Sequence, residues 1–472
     1  MKDTTDAMTN KTEKDSHAQK IHVLIVGAGL TGLLLAQGLR KLNAALEAES
    51  RPAKYTFKIY ERDESASYRG GGFSLTIHWA LQELYEILPE YLSARIFECV
   101  GNPDAIARGD MGSFKYLNLR TGIPAFNTSL PPGWKGARMS RVKFLSLLMT
   151  DLQVEFGKRL SEITFPSHDT VCAEFEGGQR ETGELLIGAD GSRSVVRRFV
   201  YGDENSKNRQ LPVRMINCRS EYPWGDLQAC LKIDPHLFHG GDPVQNGYFM
   251  FAFLDMPRPG SEKARAAVQL TVSWPFEKGY LGESEPSEPP KEHLERIAWL
   301  RRLAKNWADP VHRLIQNMPE DSMVRAINIE EWMPNDANRR RTDGRLTLVG
   351  DAAHLMTSCK LRLRRDEADS ELLTVTVRGE NANHGVVDAA KLVALLKPSS
   401  DGSVDLGTAV RRYEEEMIGR TRPATVKAKQ ACLDANHFAD VKTGSPFLSR
   451  RTKLNQEESS ILHVQQATAT AA

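Results

Sequence analysis

The stretch Ile21–Lys41, IHVLIVGAGLTGLLLAQGLRK, decides the fold. Its first half is a short, unbroken apolar run rich in Val and Ile, the pattern of a strand buried on both faces. Gly27, Gly29 and Gly32 follow in the spacing G-x-G-x-x-G, and Leu33, Leu34, Leu35, Ala36 and Leu39 then continue as good helix formers. A strand, a glycine turn and a helix in that order make a dinucleotide site with a physical rationale. The first glycine permits the tight turn, the second lets backbone approach a pyrophosphate, and the third lets the helix pack close to the strand. The alternative is an ordinary glycine turn in an α/β core, but the flanking strand and helix favour the nucleotide site.

Outward from this stretch, an acidic residue about 20 positions beyond the glycines should hold the ribose hydroxyls. The segment YTFKIYERD ends in Glu61, later than that spacing. The extra residues fall in Ala44–Lys54, a polar stretch with Pro52 that reads as a lengthened helix end and loop. Both strands survive such an insertion, so Glu61 remains the ribose candidate.

Two more apolar runs end in the same way. Leu185–Ile187 leads into Gly188-Ala189-Asp190-Gly191, then Ser192, Arg193 and Arg197. An acid at a strand end beside a basic helix start can meet hydroxyls and phosphates together, although Asp-Gly is also a common β-turn. LTLVG at Leu346–Gly350 is followed by Asp351 at an expected helix start. Three separate apolar strands, each with glycine and an acid at the turn, are hard to explain by core packing alone. Between them, Arg138–Leu152 reads as a short strand entering a helix, with Ser140 as its cap and Arg141 at its start. A cation there opposes the helix dipole unless it meets an anion.

Composition narrows the function. The chain has 472 residues, enough for two or more domains, and 62 basic against 61 acidic residues. With a net charge of +1, no global field selects nucleic acid or an anionic membrane. The six cysteines lack C-x-x-C or metal-ligand spacing, so they read as reduced thiols and no metal is expected. No signal peptide or transmembrane segment is read, which predicts a soluble cytoplasmic enzyme with at most peripheral membrane contact. Residues 1–20 and the tail from 441 are polar and expected to be disordered. Residues 100–137 read as loop-rich. Residues 401–440 read as helices interrupted at Pro423.

In order along the chain, GAGLTG, Glu61-Arg62, Gly188–Gly191 with Arg193 and Arg197, and Gly350-Asp351-Ala352-Ala353-His354 resemble the fingerprints of single-component FAD-dependent monooxygenases with the para-hydroxybenzoate hydroxylase fold. Their secondary-metabolism branch is the nearest in character. The resemblance spans roughly residues 21–437 and implies an α/β fold. A Rossmann-like FAD-binding domain (21–202 and 339–400) would carry an inserted β-sheet substrate domain (203–338) and C-terminal helices. It implies that Gly27, Gly29 and Gly32 line the FAD pyrophosphate, Glu61 holds the adenosine ribose, and Arg141 meets the phosphates. Asp190 and Gly191 would serve FAD and the pyridine nucleotide, and Asp351 the ribityl chain. Leu30, Arg62, Gly72 and Ala382 are expected to touch FAD as well. NADPH or NADH would bind transiently, since no second G-x-G-x-x-G exists. The expected reaction is hydroxylation or epoxidation of a small molecule by O2 through a flavin C4a-hydroperoxide, with no catalytic side chain assigned. Arg214, Arg219 and Tyr248 are candidate hydrogen-bonding groups of an apolar substrate pocket, or else exposed strand residues. His354 and His384 read as structural. A flavin oxidase or dehydrogenase of the same fold is the rival reading.

One departure stands out. In the resembled family a glycine-rich loop follows GDAAH almost at once, whereas here the matching RGENANHGVVDAA begins at Arg378. The charged segment 358–377 lies between. Codons available for Cys359-Lys360 include a splice-donor-like GTAAG, so a translated intron is one reading and a genuine lid the other. An insert there is expected to weaken FAD retention, and could leave an FAD-binding remnant without activity. Asn381, where the family has glycine, is expected to need a left-handed conformation.

Overall fold

The computed structural model describes residues 20–65, 73–128, 136–257, 264–335, 339–361 and 379–448. The Ile21–Val26 run forms strand β1, with Val23, Leu24 and Ile25 fully buried. Helix α1 follows at Leu30–Ala48 and strand β2 at Tyr55–Tyr60. The extra residues after the glycines therefore lengthen α1 and its exit loop. β1 is central in a five-stranded sheet, in the order Leu346–Leu348, Leu185–Gly188, β1, β2, Val154–Glu155. All four pairings are parallel. The register sets their ends level: Val26 lies opposite both Gly188 and Tyr60, and Gly188 opposite Leu348. Burial on both faces explains why β1 and Leu185–Gly188 read as apolar runs rather than alternating ones.

An eight-stranded sheet holds the second large layer. Its centre is Arg209–Pro223, Arg265–Pro275 and Tyr248–Asp255, paired antiparallel. One face packs Phe249, Phe251, Leu270 and Trp274 against the helices His293–Leu303 and Val311–Gln316. The other face packs Met215, Tyr248 and Met250 against Ala431 and Cys432 of the last long helix. Five cysteines, Cys99, Cys172, Cys218, Cys230 and Cys432, are free and buried.

Several expectations change. Residues 100–137 are not merely loops: Phe114–Asn118 and Pro124–Thr128 are strands that complete the large sheet. They are short, and their pattern is too weak to read against Gly and Pro on either side. Pro423 does not interrupt its helix, which runs unbroken from Leu406 to Ala435. Buried Thr421, Ala424, Thr425 and Ala428 hold both halves against the protein, and packing overrides the lost hydrogen bond. Ser140 occupies the N-cap position without making a capping hydrogen bond. The tail is packed as far as Leu448: Phe447 is 1% exposed and meets Tyr116, His239 and Tyr248 in an aromatic cluster. Residues 1–19 and 449–472, expected to be disordered, lie outside the described residues. So does 362–378, whereas Ser358–Leu361 closes the strand Leu355–Leu361. Among the described residues no helix is long and apolar enough to cross a membrane.

Candidate cofactor site

Four neighbouring parallel strands end at one edge of the five-stranded sheet, and each delivers a residue to the same cleft. β1 delivers Gly27 and Gly29, β2 Glu61 and Arg62, Leu185–Gly188 Asp190 and Gly191, and Leu346–Leu348 Asp351. The carboxyl ends of parallel strands are where open α/β sheets bind ligands. The cleft encloses about 1130 Å³ of space including its open mouth. Glu61, Asp190 and Asp351 therefore share one cavity.

The glycines divide their work. A Cβ on Gly27, whose φ is +113°, would stand 2.3 Å from the Ala189 carbonyl oxygen. One on Gly32 would stand 2.1 Å from the Gly27 oxygen. These two let the first turn nest against the Asp190 turn and α1. Gly32 thus lies behind the turn and does not line the cleft, in contrast to the sequence expectation. A Cβ on Gly29 would meet nothing within 4 Å; it faces the open cleft at the N-cap of α1.

Two of the three carboxylates are held by backbone. Glu61 accepts from the Ala28 N–H at 2.9 Å and from the Asp63 N–H at 3.1 Å, which fixes it beside the glycine turn. Asp190 accepts from the Val195 N–H at 2.7 Å through Oδ2, while its buried Oδ1 has no partner. Burial pushes the Asp190 carboxyl up, opposed by hydrogen bonds from Ser194 and the Val195 and Val196 backbone and by the Arg62 charge. A buried acceptor left open in a cleft suits a ligand hydroxyl. Asp351 accepts from the Asn381 side-chain amide, so the residues on either side of 362–378 meet at the cleft. Asn381 is not left-handed; it is the first residue of the helix Asn381–Leu395, and Gly379 takes the positive φ of 64° instead.

Leu30, Arg141 and Ala382 also line the cleft, and Gly72 lies outside the described residues. Arg197 is not an open phosphate ligand. It is 2% exposed, donates to the Asp351 carbonyl at 3.2 Å and to Ser192, and stacks on Trp332. Burial pushes its guanidinium down to about 10. Thr31, Phe73, Ser74, Lys158 and Arg159 also line the wall without having been singled out in the sequence. Lys158 is placed by its N–H bond to the Glu61 carbonyl at 2.8 Å, a tertiary contact with no local motif.

His354 and His384 sit behind the Asp351 turn. Asp388 accepts from the Gly350 N–H at 2.7 Å, His354 Nε2 at 2.6 Å and Arg420 Nη2 at 2.7 Å. Arg420 also bonds His384 Nδ1 at 2.8 Å. Burial alone would raise the Asp388 carboxyl, but His354 and Arg420 outweigh it and hold it well below the usual carboxylate range. Among the described residues no group of three or more His, Cys, Asp or Glu could hold a metal.

Of the three polar candidates on the substrate sheet, Arg214 is buried, with Glu288 taking two bonds at 2.8 and 2.9 Å and Phe276 under its guanidinium. Tyr248 is 1% exposed and bonds His239 Nδ1 at 2.8 Å. Arg219 lies 3.5 Å from Glu221 at the surface. Neither Arg214 nor Tyr248 is an exposed strand residue, because the long helix and neighbouring loops cover the sheet. A buried ladder instead leads away from the cleft wall: Ser74 Oγ donates to Gln269 at 2.9 Å, Gln269 to Thr271 at 3.4 Å, and Thr271 to Asn217 at 3.0 Å.

The fold matches known flavoproteins. It aligns with HpxO of Klebsiella pneumoniae complexed with FAD and uric acid at a TM-score of 0.65 and 21% identity, over 88% of this chain and 89% of that one. It aligns with 2,6-dihydroxypyridine-3-hydroxylase of Arthrobacter nicotinovorans at 0.63 and 16%, over 91% and 96%. The architecture is thus the Rossmann-like flavin fold with a β-sheet second layer. No family model matches the chain. Its sequence is 68% identical to the FAD-dependent monooxygenase tazP of Aspergillus terreus over 394 residues, 84% of this chain and 93% of that protein. It is 34% identical to a probable FAD-dependent monooxygenase of Arthroderma benhamiae, over 93% and 97%. The chain belongs to the FAD-dependent monooxygenases, and its cofactor is FAD.

Proposed function

We propose that this monooxygenase takes electrons from NADPH or NADH and hydroxylates or epoxidises an aromatic, polyketide, indole or terpenoid molecule of secondary metabolism. Gly27, Gly29 and the start of α1 hold the FAD pyrophosphate, where the helix N-terminus favours an anion. Glu61 holds the adenosine ribose, and Asp190 a further hydroxyl through its open Oδ1. Asp351, fixed by Asn381, holds the ribityl chain, while Arg62 and Arg141 balance phosphate charge. Bound FAD supplies oxygen activation, through the C4a-hydroperoxide expected from the resemblance. The chain binds, orients and keeps water away.

The observation that carries this reading is the convergence of Gly29, Glu61, Asp190 and Asp351 on one cleft from four strand ends. The test is purified protein with NADPH or NADH, O2 and a panel of phenolic polyketides, indoles and terpenoids. Product carrying one atom from labelled O2, with matching NAD(P)H consumption, is expected. Stoichiometric hydrogen peroxide without oxygenated product across the panel would instead support the oxidase reading.

A further inference from the structure

A second groove lies at the opposite end of the edge strand Leu346–Leu348, between the turn 339–344 and the long helix Leu406–Ala435. It encloses about 1230 Å³ with its mouth, and is lined by Arg339, Arg340, Arg341 and Arg411 against only Asp343 and Glu414. Glu414 is committed: it pairs with both terminal nitrogens of Arg339 and accepts from Thr347 at 2.7 Å. The other three arginines are exposed and form no ion pair among the described residues, although Arg411 donates to Thr408 at 3.1 Å and its charge acts on Asp405. The Arg340 guanidinium lies 4.4 Å from the Phe199 ring centroid, and Phe165, 37% exposed, lies 6.0 Å beyond Phe199. Stacked arginine and aromatic planes beside unpaired arginines suit a ligand with a flat base and phosphates.

The groove also connects to the cofactor cleft. Arg340 lines both it and a shallower furrow along the helix Val195–Asn205, and Val195 at the furrow's far end lines the cofactor cleft. Val195 to Gly202 is about 10 Å of helix at 1.5 Å per residue, a span within reach of an extended dinucleotide.

We propose that this groove is the docking site for the adenosine 2′-phosphate end of NADPH. Arg340 and Phe199 offer the stacking surface, Arg341 and Arg411 face the phosphates, and the furrow along Val195–Asn205 directs the remainder toward the cofactor cleft. The proposal rests on the pyridine-nucleotide reading above, and two separate measurements distinguish them. The first is calorimetric binding of adenosine 2′,5′-bisphosphate to FAD-loaded protein and to the double variant Arg341→Glu/Arg411→Glu. Both side chains are exposed, so flavin absorbance and melting temperature of the variant should match the parent. Measurable binding to the parent, weakened about tenfold or more in the variant and falling with salt, is expected. No binding to the parent, or equal binding to both, overturns the groove assignment. The second measurement is steady-state oxidation of NADPH and NADH. The variant should raise KM for NADPH by about tenfold and KM for NADH less, since the extra phosphate is what the arginines meet. Unchanged KM for NADPH also overturns the groove. Parent protein that oxidises neither nucleotide overturns the pyridine-nucleotide reading, and with it the NADPH assignment, whatever the bisphosphate does.

Discussion

Two glycines of the first turn, Gly29 and Gly32, make opposite predictions from identical substitutions. Gly29→Ala adds a methyl group to open space at the cleft, so melting temperature should hold while FAD affinity falls by about tenfold. Gly32→Ala drives the same methyl into the Gly27 carbonyl, so stability should fall by about 1–3 kcal/mol, the usual cost of overpacking. Thermal melts of apoprotein and fluorescence titration with FAD separate the two. If both variants lose stability alike, the division of labour drawn from the turn is wrong. The spacing reveals that glycine is needed at each position. The reasons come from the assembled turn: the Ala189 carbonyl crowds Gly27, the Gly27 carbonyl crowds Gly32, and Gly29 faces the open cleft.

At the scale of elements, the helix Asn381–Leu395 is tied to the Asp351 turn through Asp388, and the tie is electrostatic. Replacing Asp388 with Ala removes the acceptor shared by the Gly350 N–H, His354 and Arg420, while Arg420 keeps Glu416 at 3.0 Å, so a loss of about 1–3 kcal/mol is expected in chemical denaturation. His384 gives a pH test. Burial, and then the Arg420 charge, push its imidazole well below the ordinary value, so it stays neutral in the fold. The unfolded chain takes up that proton below about pH 6.5. Stability should therefore fall as pH drops below that point, by at most about 1.4 kcal/mol per pH unit from this group. His384→Gln should flatten the slope between pH 5 and 6.5; an unaltered slope would assign the acid sensitivity to other groups. Elements with long apolar runs, such as β1 and Leu185–Gly188, were legible because burial on both faces leaves a strong signature. Phe114–Asn118, the continuous helix through Pro423, and the packed Phe447 were not, since tertiary partners decide them. Likewise Glu61 was legible as a ribose candidate, but Lys158 was not, because its place comes from a bond to the Glu61 carbonyl.

For the molecule as a whole, the clasp between Asn381 and Asp351 matters most around residues 362–377. It joins the two flanks, so a chain lacking 362–377 should still fold and should hold FAD at least as tightly as the full chain. Flavin retained through gel filtration measures this, and loss of FAD from the shortened chain would mean that the segment belongs to the site. Added FAD should raise the melting temperature, since a ligand at 100 times its Kd stabilises by about 2.7 kcal/mol. The level ends of four strands carry a wider consequence. Segments near residues 27, 61, 190 and 351 are remote in the chain, yet all line one cleft, where a single prosthetic group would read them at once. Yellow colour is thus an assay of global assembly: damage to any one strand, however far from the chemistry, should register first as a protein that bleaches on dilution.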